Sequence, residues 1–537
     1  MTMFKRSDDR RIGGERYCPA DRHPKGRCQM RSPPRQCRVL GSFSADRGEF
    51  LIMVSHTKNF SIQTSYAPST QCGSVWTKIV LELTGFCKGS SKEQKIGGVW
   101  LGGAQILHAS TPLPTPEGTN WTIQRDATSF ESLFLSSSNL SLIFLDVTAS
   151  SSTNSSLPST KSSYRISVTA NFYLFKESTA EIIDQARGSR RFFSPLSGTS
   201  AGLFPPLAVL PIHPPPSNST GLWFVFQNDQ ESSAMVTPPT NVVSARLQVF
   251  VSSHGDDEFW YKKGSSSEMR EVVITLDGAV VDAIWPSPVI YSAGINASYW
   301  ESVGSIGALN SPGYDVILDA FAPVLADGKP HKLGFRVIGA TSIWFLGASL
   351  LMSTTTATKT GASGLIHWSA SDTMISHPAL GTTVASRSFS SVGYHLVDGT
   401  NFTTWIEHEV HSRRWNSEDG SLQLLTESKV VLLEQASGDA IYLHWTDKTS
   451  VPVMILMRGL VHQSFNHEFD SVLRIGSNNG VVQGGNFTSV FTNLQVCGGK
   501  GVRQSLSYRN TDASCYSRNL LVVDNEFKYD NVSTSCN

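Results

Sequence analysis

From Val75 onward the apolar positions fall in short runs rich in Val, Ile, Leu, Phe and Thr, separated by Gly, Pro and Ser. Residues 76–83, 99–107, 140–147 and 166–175 are runs of this kind, and 388–397, 429–434, 440–445 and 451–457 continue them. Such runs read as strands. No segment repeats at the helical period with capping residues at its ends. Frequent short strands at turn-punctuated intervals predict an all-β chain of antiparallel sandwiches rather than α/β units. Asp277-Gly278 between two apolar triplets predicts a two-residue hairpin of the primed kind, and Asp327-Gly328 and Ser437-Gly438 mark further turns.

The clearest alternation is Val243, Ala245, Leu247, Val249 and Val251 against Ser244, Arg246, Gln248 and Ser252, a strand with one buried face. It runs into His254–Tyr261, reading HGDDEFWY. Three carboxylates followed by three rings place acid/base groups beside flat apolar surfaces, the pairing used by sugar-handling sites. If the strand continued straight, Asp257 and Glu258 would point to opposite faces. Only a bulge or loop at Gly255 lets two carboxylates converge, and glycine permits that bend. The alternative is a set of acids decorating a solvated strand end.

Composition breaks divide the chain. Residues 1–55 form an Arg-rich extension expected to be disordered; its three cysteines lack a paired zinc spacing. A first sandwich is expected over 72–215, a second over 219–352 carrying HGDDEFWY, a Ser/Thr/Gly linker over 353–364, and a C-terminal β domain over 365–537. Lys plus Arg and Asp plus Glu are 44 each, so no net field recruits nucleic acid or an anionic membrane. No apolar run approaches the roughly 20 residues of a membrane span. No signal peptide is evident in this sequence, yet Asn59, Asn120, Asn139, Asn154, Asn218, Asn296, Asn401, Asn486 and Asn531 each open an Asn-x-Ser/Thr acceptor. That density predicts the secretory pathway: extracellular, cell wall or vacuole. A Cys72–Cys87 bridge and one bridge among Cys497, Cys515 and Cys536 are expected, leaving one thiol over.

Read in order, HGDDEFWY, REV at 270–272, Asp277-Gly278, PSPVI at 286–290, GIN at 294–296, Trp300-Glu301 and Tyr314-Asp315 resemble the peptide-N4-(N-acetyl-β-glucosaminyl)asparagine amidase A family, acid-active plant and fungal glycoamidases. WLGG at 100–103, STPLPTPEG at 110–118, Trp121 and DGKPH at 327–331 extend the resemblance over most of residues 72–352, and CYSR at 515–518 continues it more loosely. It implies two closely packed sandwiches and hydrolysis of the amide joining asparagine to the first N-acetylglucosamine of an N-glycan. Aspartate and a glycosylamine result, with no metal or organic cofactor. The implied partners are N-glycosylated peptides or unfolded glycoproteins.

The reaction needs a carboxylate to activate water, an acid for the departing amine and donors for the amide oxygen. Asp257 and Glu258 are the candidates for water activation, with Glu301 as the second carboxylate. Trp260, Tyr261 and Trp300 are expected to meet sugar, and Arg270, Asn296 and Gln105 the polar parts of the substrate. Core packing for the rings and cross-strand pairing for Arg270 are the alternatives. His254 belongs to the same set, although a structural role suits it better, because a neutral histidine is hard to maintain at acid pH. Around WLGG the chain departs from the family, whose members read close to QFDR before it and ELRTSTAEP after it. Three acids become Gln94, Gln105 and Leu113, and an arginine becomes His108. Gln105 can bind an amide but cannot act as a base. Those departures support an alternative, a catalytically silent glycan binder; a carboxylate-dependent glycosidase is another.

Overall fold

The computed structural model describes residues 36–40, 52–55, 60–68, 76–89, 94–146, 162–174, 208–215, 219–220, 222–262, 269–289 and 309–355. From 363 onward it describes all but 398, 418–421, 437–438, 452, 456–460, 478–479, 499–500, 512–514, 525 and 534–537. Among these residues the fold is all-β, broken by single helical turns at Glu131–Phe134 and Ala322–Leu325. No helix among them is long and apolar enough to cross a membrane.

A five-stranded sheet built on Trp76–Lys88 and Ser163–Leu174 and a four-stranded sheet containing Lys95–Leu101 and Ala104–Ser110 share the first core. The expected single run 99–107 is a hairpin, turned at Gly102 and Gly103 with φ of 57° and 86°, a region glycine enters at little cost. Gln36–Leu40 and Ile52–Ser55, inside the expected disordered extension, pair with Ser163–Leu174. The remainder of that extension lies outside the described residues.

The second core lies between a six-stranded sheet centred on Val242–Ser253 and Trp344–Thr354 and a four-stranded sheet in which Glu271–Leu276 and Ala279–Ile284 form the predicted hairpin. Asp277 and Gly278 have φ of 52° and 85°, as a primed turn requires. Ala208–Ile212, on the first-sandwich side of the expected boundary, pairs with Trp344–Thr354 and so belongs here. Residues 356–362 of the expected linker are outside the described residues. Beyond them a 12-stranded antiparallel sheet runs from Gly364 to Ser533 as a meander. Burial along Thr400–Asn416 alternates with a period of two over most of its length, and the inward face docks on the second sandwich.

Val242–Ser253 is buried on both faces, which corrects the expected single buried face. Ala245, Leu247, Val249 and Val251 enter the second core. On the other face, Phe250 stacks with His108 and Ser252 hydrogen-bonds to it, so the polar-looking positions meet the first sandwich. Cys87 is a free, fully buried thiol pointing into the first core, which excludes its expected bridge in this structure; Cys72 lies outside the described residues. Burial pushes the Cys87 thiol up to about 12. Cys497 is also free and buried, and Cys515 is disulfide-bonded.

Candidate active site

The central strand ends at Ser253, and the chain turns at Gly255, whose φ is 65°. A 3₁₀ turn over Gly255–Asp257 follows, with Asp257 N–H donating to His254 O at 3.3 Å and Glu258 N–H to Gly255 O at 3.0 Å. The bend removes the strand alternation, so the adjacent carboxyls take different environments for a local reason. Asp256 is exposed, Asp257 is fully buried and Glu258 is half-buried.

Asp257 is a node of the core. Its carboxylate accepts from Arg270 Nη2 at 2.7 Å and Nε at 3.4 Å, and from Trp344 Nε1 at 2.9 Å. Thr341 donates to it through N–H at 2.8 Å and Oγ1 at 2.6 Å, and Ser342 through N–H at 3.3 Å. Burial pushes this carboxyl up, but the bonds from Arg270, Thr341 and Trp344 outweigh burial and hold it well below the usual carboxylate range. A carboxylate so committed organises the turn; it has no exposed face to meet water.

Arg270, buried and ion-paired to Asp257, is likewise part of the scaffold, and its Nη1 donates to Met269 O at 3.0 Å. The aromatic run divides. Phe259 is half-buried, whereas Trp260 and Tyr261 belong to the second core, which corrects the expectation that they stack on sugar. A second 3₁₀ turn, Trp260–Lys262, faces them inward, and Tyr261 O accepts from Arg414 Nε of the C-terminal sheet at 3.0 Å.

Gln105 and His254 are buried at the two ends of a chain crossing between the sandwiches. Gln105 Nε2 lies 3.1 Å from His108 Nδ1, His108 Nε2 lies 2.8 Å from Ser252 Oγ, and Ser252 Oγ lies 2.8 Å from His254 Nε2. The amide nitrogen can only donate, so His108 carries its proton on Nε2 and Ser252 passes its own to His254. Burial, joined by the Arg125 charge for His108 and by His108 for His254, lowers both imidazoles to about 3. Both therefore stay neutral in moderately acid solution, which removes the sequence argument against a neutral His254. The arrangement also buries Gln105 away from solvent, against Gly347, where an added Cβ would overlap Gln105 Oε1.

Glu301, Asn296 and Trp300 lie outside the described residues. Sequence reasoning missed a second polar group at the junction of the sandwiches. Arg246 Nη1 is 3.4 Å from Asp315 Oδ2, and Gln248 Nε2 donates to Asp315 Oδ1 at 3.2 Å. Arg125, stacked 4.5 Å over Phe250, donates to Ser311 O at 3.1 Å. Burial brings its guanidinium down to about 10, opposed by Asp315 and Asp126. The available signal was Tyr314-Asp315; nothing local distinguished Arg125 or Arg246.

Residues 50–344 match the family model described as peptide N-acetyl-beta-D-glucosaminyl asparaginase amidase A. Peptide-N4-(N-acetyl-beta-glucosaminyl)asparagine amidase A from Prunus dulcis is 28% identical over 525 residues, covering 88% of this chain and 86% of that protein.

Proposed function

The chain belongs to the peptide N-acetyl-beta-D-glucosaminyl asparaginase amidase A family, and from that premise we propose that it is a glycoamidase worked by Glu258. It hydrolyses the amide between an asparagine side chain and the first N-acetylglucosamine of a glycopeptide. The observation that supports the site assignment is the contrast in burial within one turn: Asp257 is fully enclosed and held by Arg270, Thr341 and Trp344, whereas the next carboxyl, Glu258, is half-buried.

Glu258 orients a water and takes its proton as oxygen attacks the amide carbon. The carbon–nitrogen bond then breaks, and a proton delivered to nitrogen by the second carboxylate, Glu301, lets the glycosylamine leave. The peptide retains the carboxyl of aspartate. Asn296 and Trp300 are assigned to holding the sugar, with Phe259 as the ring beside Glu258. The departures from the family pattern are packed into the fold. Gln105 is buried in the inter-sandwich chain, Leu113 is buried, and Gln94 Nε2 donates to Thr111 O at 2.6 Å. All three do structural work where they stand. We assign the protein to the secretory pathway, because the acceptor residues Asn120, Asn139, Asn401, Asn486 and Asn531 are exposed.

Mass spectrometry of a defined N-glycopeptide incubated with the protein at acid pH tests the function. Conversion of Asn to Asp by the parent and not by Glu258→Gln is the expected result. Equal conversion by both removes Glu258 from the mechanism; conversion by neither, with glycan retained on the protein, favours the binder.

A further inference from the structure

Where the C-terminal sheet meets the second sandwich, three side chains from three strands form a directional hydrogen-bonded series. Asp282, on Ala279–Ile284, lies beside a register slip opposite Ile274 and Thr275, an irregularity that re-aims side chains. Its Oδ1 is 2.7 Å from His408 Nδ1, and it also accepts from Ala283 N–H at 2.7 Å. His408 Nε2 is 2.9 Å from Ser428 Oγ. A carboxylate accepts, so the contact with Asp282 selects the tautomer with its proton on Nδ1, in which the Nε2 lone pair faces the Ser428 hydroxyl. This is the tautomer that a serine nucleophile needs. Phe389 stacks on His408 at 5.7 Å and holds the ring plane.

Access follows the same pattern. Asp282 and His408 are 6% and 9% exposed, whereas Ser428 is half-buried. In the sheet register Ser428 stands opposite Asp447, whose side chain is 45% exposed, so this end of the series lies nearer solvent than Asp282 and His408. Two residues along the same face, Thr426 lines a cavity of about 20 Å³ with Ser412 and Trp285, room for a water; Trp260 and Arg270 line it too, so it belongs to the side of the Asp257 turn and not to Ser428.

We propose that Asp282, His408 and Ser428 form a nucleophilic-serine site that accepts acyl groups from small esters, separate from the glycoamidase turn. Ser428 Oγ attacks the ester carbonyl and its proton moves to His408 Nε2. The carbon–oxygen bond to the leaving group breaks, His408 returns the proton to that oxygen, and an acyl-Ser428 ester remains. Water, deprotonated by the same imidazole, releases the acid and restores the serine. The strand of Ser428 is paired on both sides, so among the described residues no pair of free backbone N–H groups converges on its Oγ. Without that stabilisation the substrates are restricted to esters with good leaving groups, such as aryl esters.

The test uses the full chain with diisopropyl fluorophosphate and, separately, p-nitrophenyl acetate. The expected result is one phosphoryl adduct, mapped to the Ser428 peptide, formed by the native and not by the denatured protein. Ser428→Ala should lose the adduct and about 100-fold of the ester hydrolysis while keeping glycopeptide conversion, which reports an intact fold. His408→Gln should abolish labelling with Ser428 still present. Glu258→Gln should hydrolyse the ester like the parent. No adduct under conditions that label a control serine hydrolase, or ester hydrolysis unchanged in Ser428→Ala, overturns the proposal.

Discussion

Asp257 and Glu258 are neighbours in sequence, and the geometry gives them opposite roles that one pair of substitutions separates. Asp257→Asn removes the charge that faces Arg270 at 2.7 Å, with both side chains fully enclosed. It also turns an amide N–H₂ toward the donors of Thr341, Ser342 and Trp344. Breaking one partner of a buried pair costs about 3–5 kcal/mol, because the other charge is left uncompensated. For a unit the size of the second sandwich, each kcal/mol moves the melting midpoint by about 2–4 °C. The variant should therefore melt roughly 6–20 °C lower. Glu258→Gln, at a half-buried carboxyl, should melt closer to the parent than Asp257→Asn does and convert no glycopeptide. Tryptophan fluorescence during heating, with conversion assayed well below both midpoints, makes the comparison. An Asp257→Asn protein that melts like the parent but is inactive would refute the assignment and make Asp257 a group that acts on substrate. The sign of the pH effect supports use in acid: a carboxyl whose folded value is depressed contributes fully above about pH 4, its ordinary range, and loses that contribution only as pH falls through the folded value.

The buried Asp319 gives the opposite sign. Burial, against bonds from Ser244 and Ala245 and the charge of Arg246, pushes it up to about 6, so its contribution is complete below about pH 4 and is lost as pH rises through 6. Asp319→Asn keeps an oxygen for Ser244 Oγ and Ala245 N–H, and should raise the midpoint at pH 7 and flatten the decline between pH 4 and 6 in melting curves. Cys87 and Cys497, each pushed up to about 12 by burial, should resist iodoacetamide in the native protein and react in denaturant; alkylation of the native protein at the rate of a free thiol would show that these cores open readily. Gly393→Ala would bring a Cβ to 1.9 Å from Ala320 O, and should cost about 1–3 kcal/mol by forcing the sheet off the sandwich, seen as faster proteolysis between residues 354 and 364.

The all-β class was legible because period-two runs and turn residues are local signals, and the Asp277-Gly278 hairpin was legible for the same reason. The bend at Gly255 was also readable from a glycine at the end of an alternating strand. What could not be read was which face each side chain would find covered. Ser244, Arg246 and Ser252 looked solvent-facing, since the sequence does not show a second sandwich or the Asp319 carboxyl packed against that face. The same limit applies to Trp260 and Tyr261, where a run of rings looked like a ligand platform and is core. The Asp282–His408–Ser428 series joins strands far apart in the chain and left no local pattern.

The C-terminal meander bears on how the protein is made. From Thr382 onward nearly every strand pairs with the next in sequence, so the sheet can grow hairpin by hairpin as it leaves the ribosome. The second sandwich has no such option. Its strand Trp344–Thr354 must find Ala208–Ile212 and Val242–Ser253, made long before, and the core cannot close until that strand arrives. Synthesis thus finishes the slow, long-range step just before the first residues of the meander emerge, and each new hairpin is laid on a sandwich that is already there to receive its inward face.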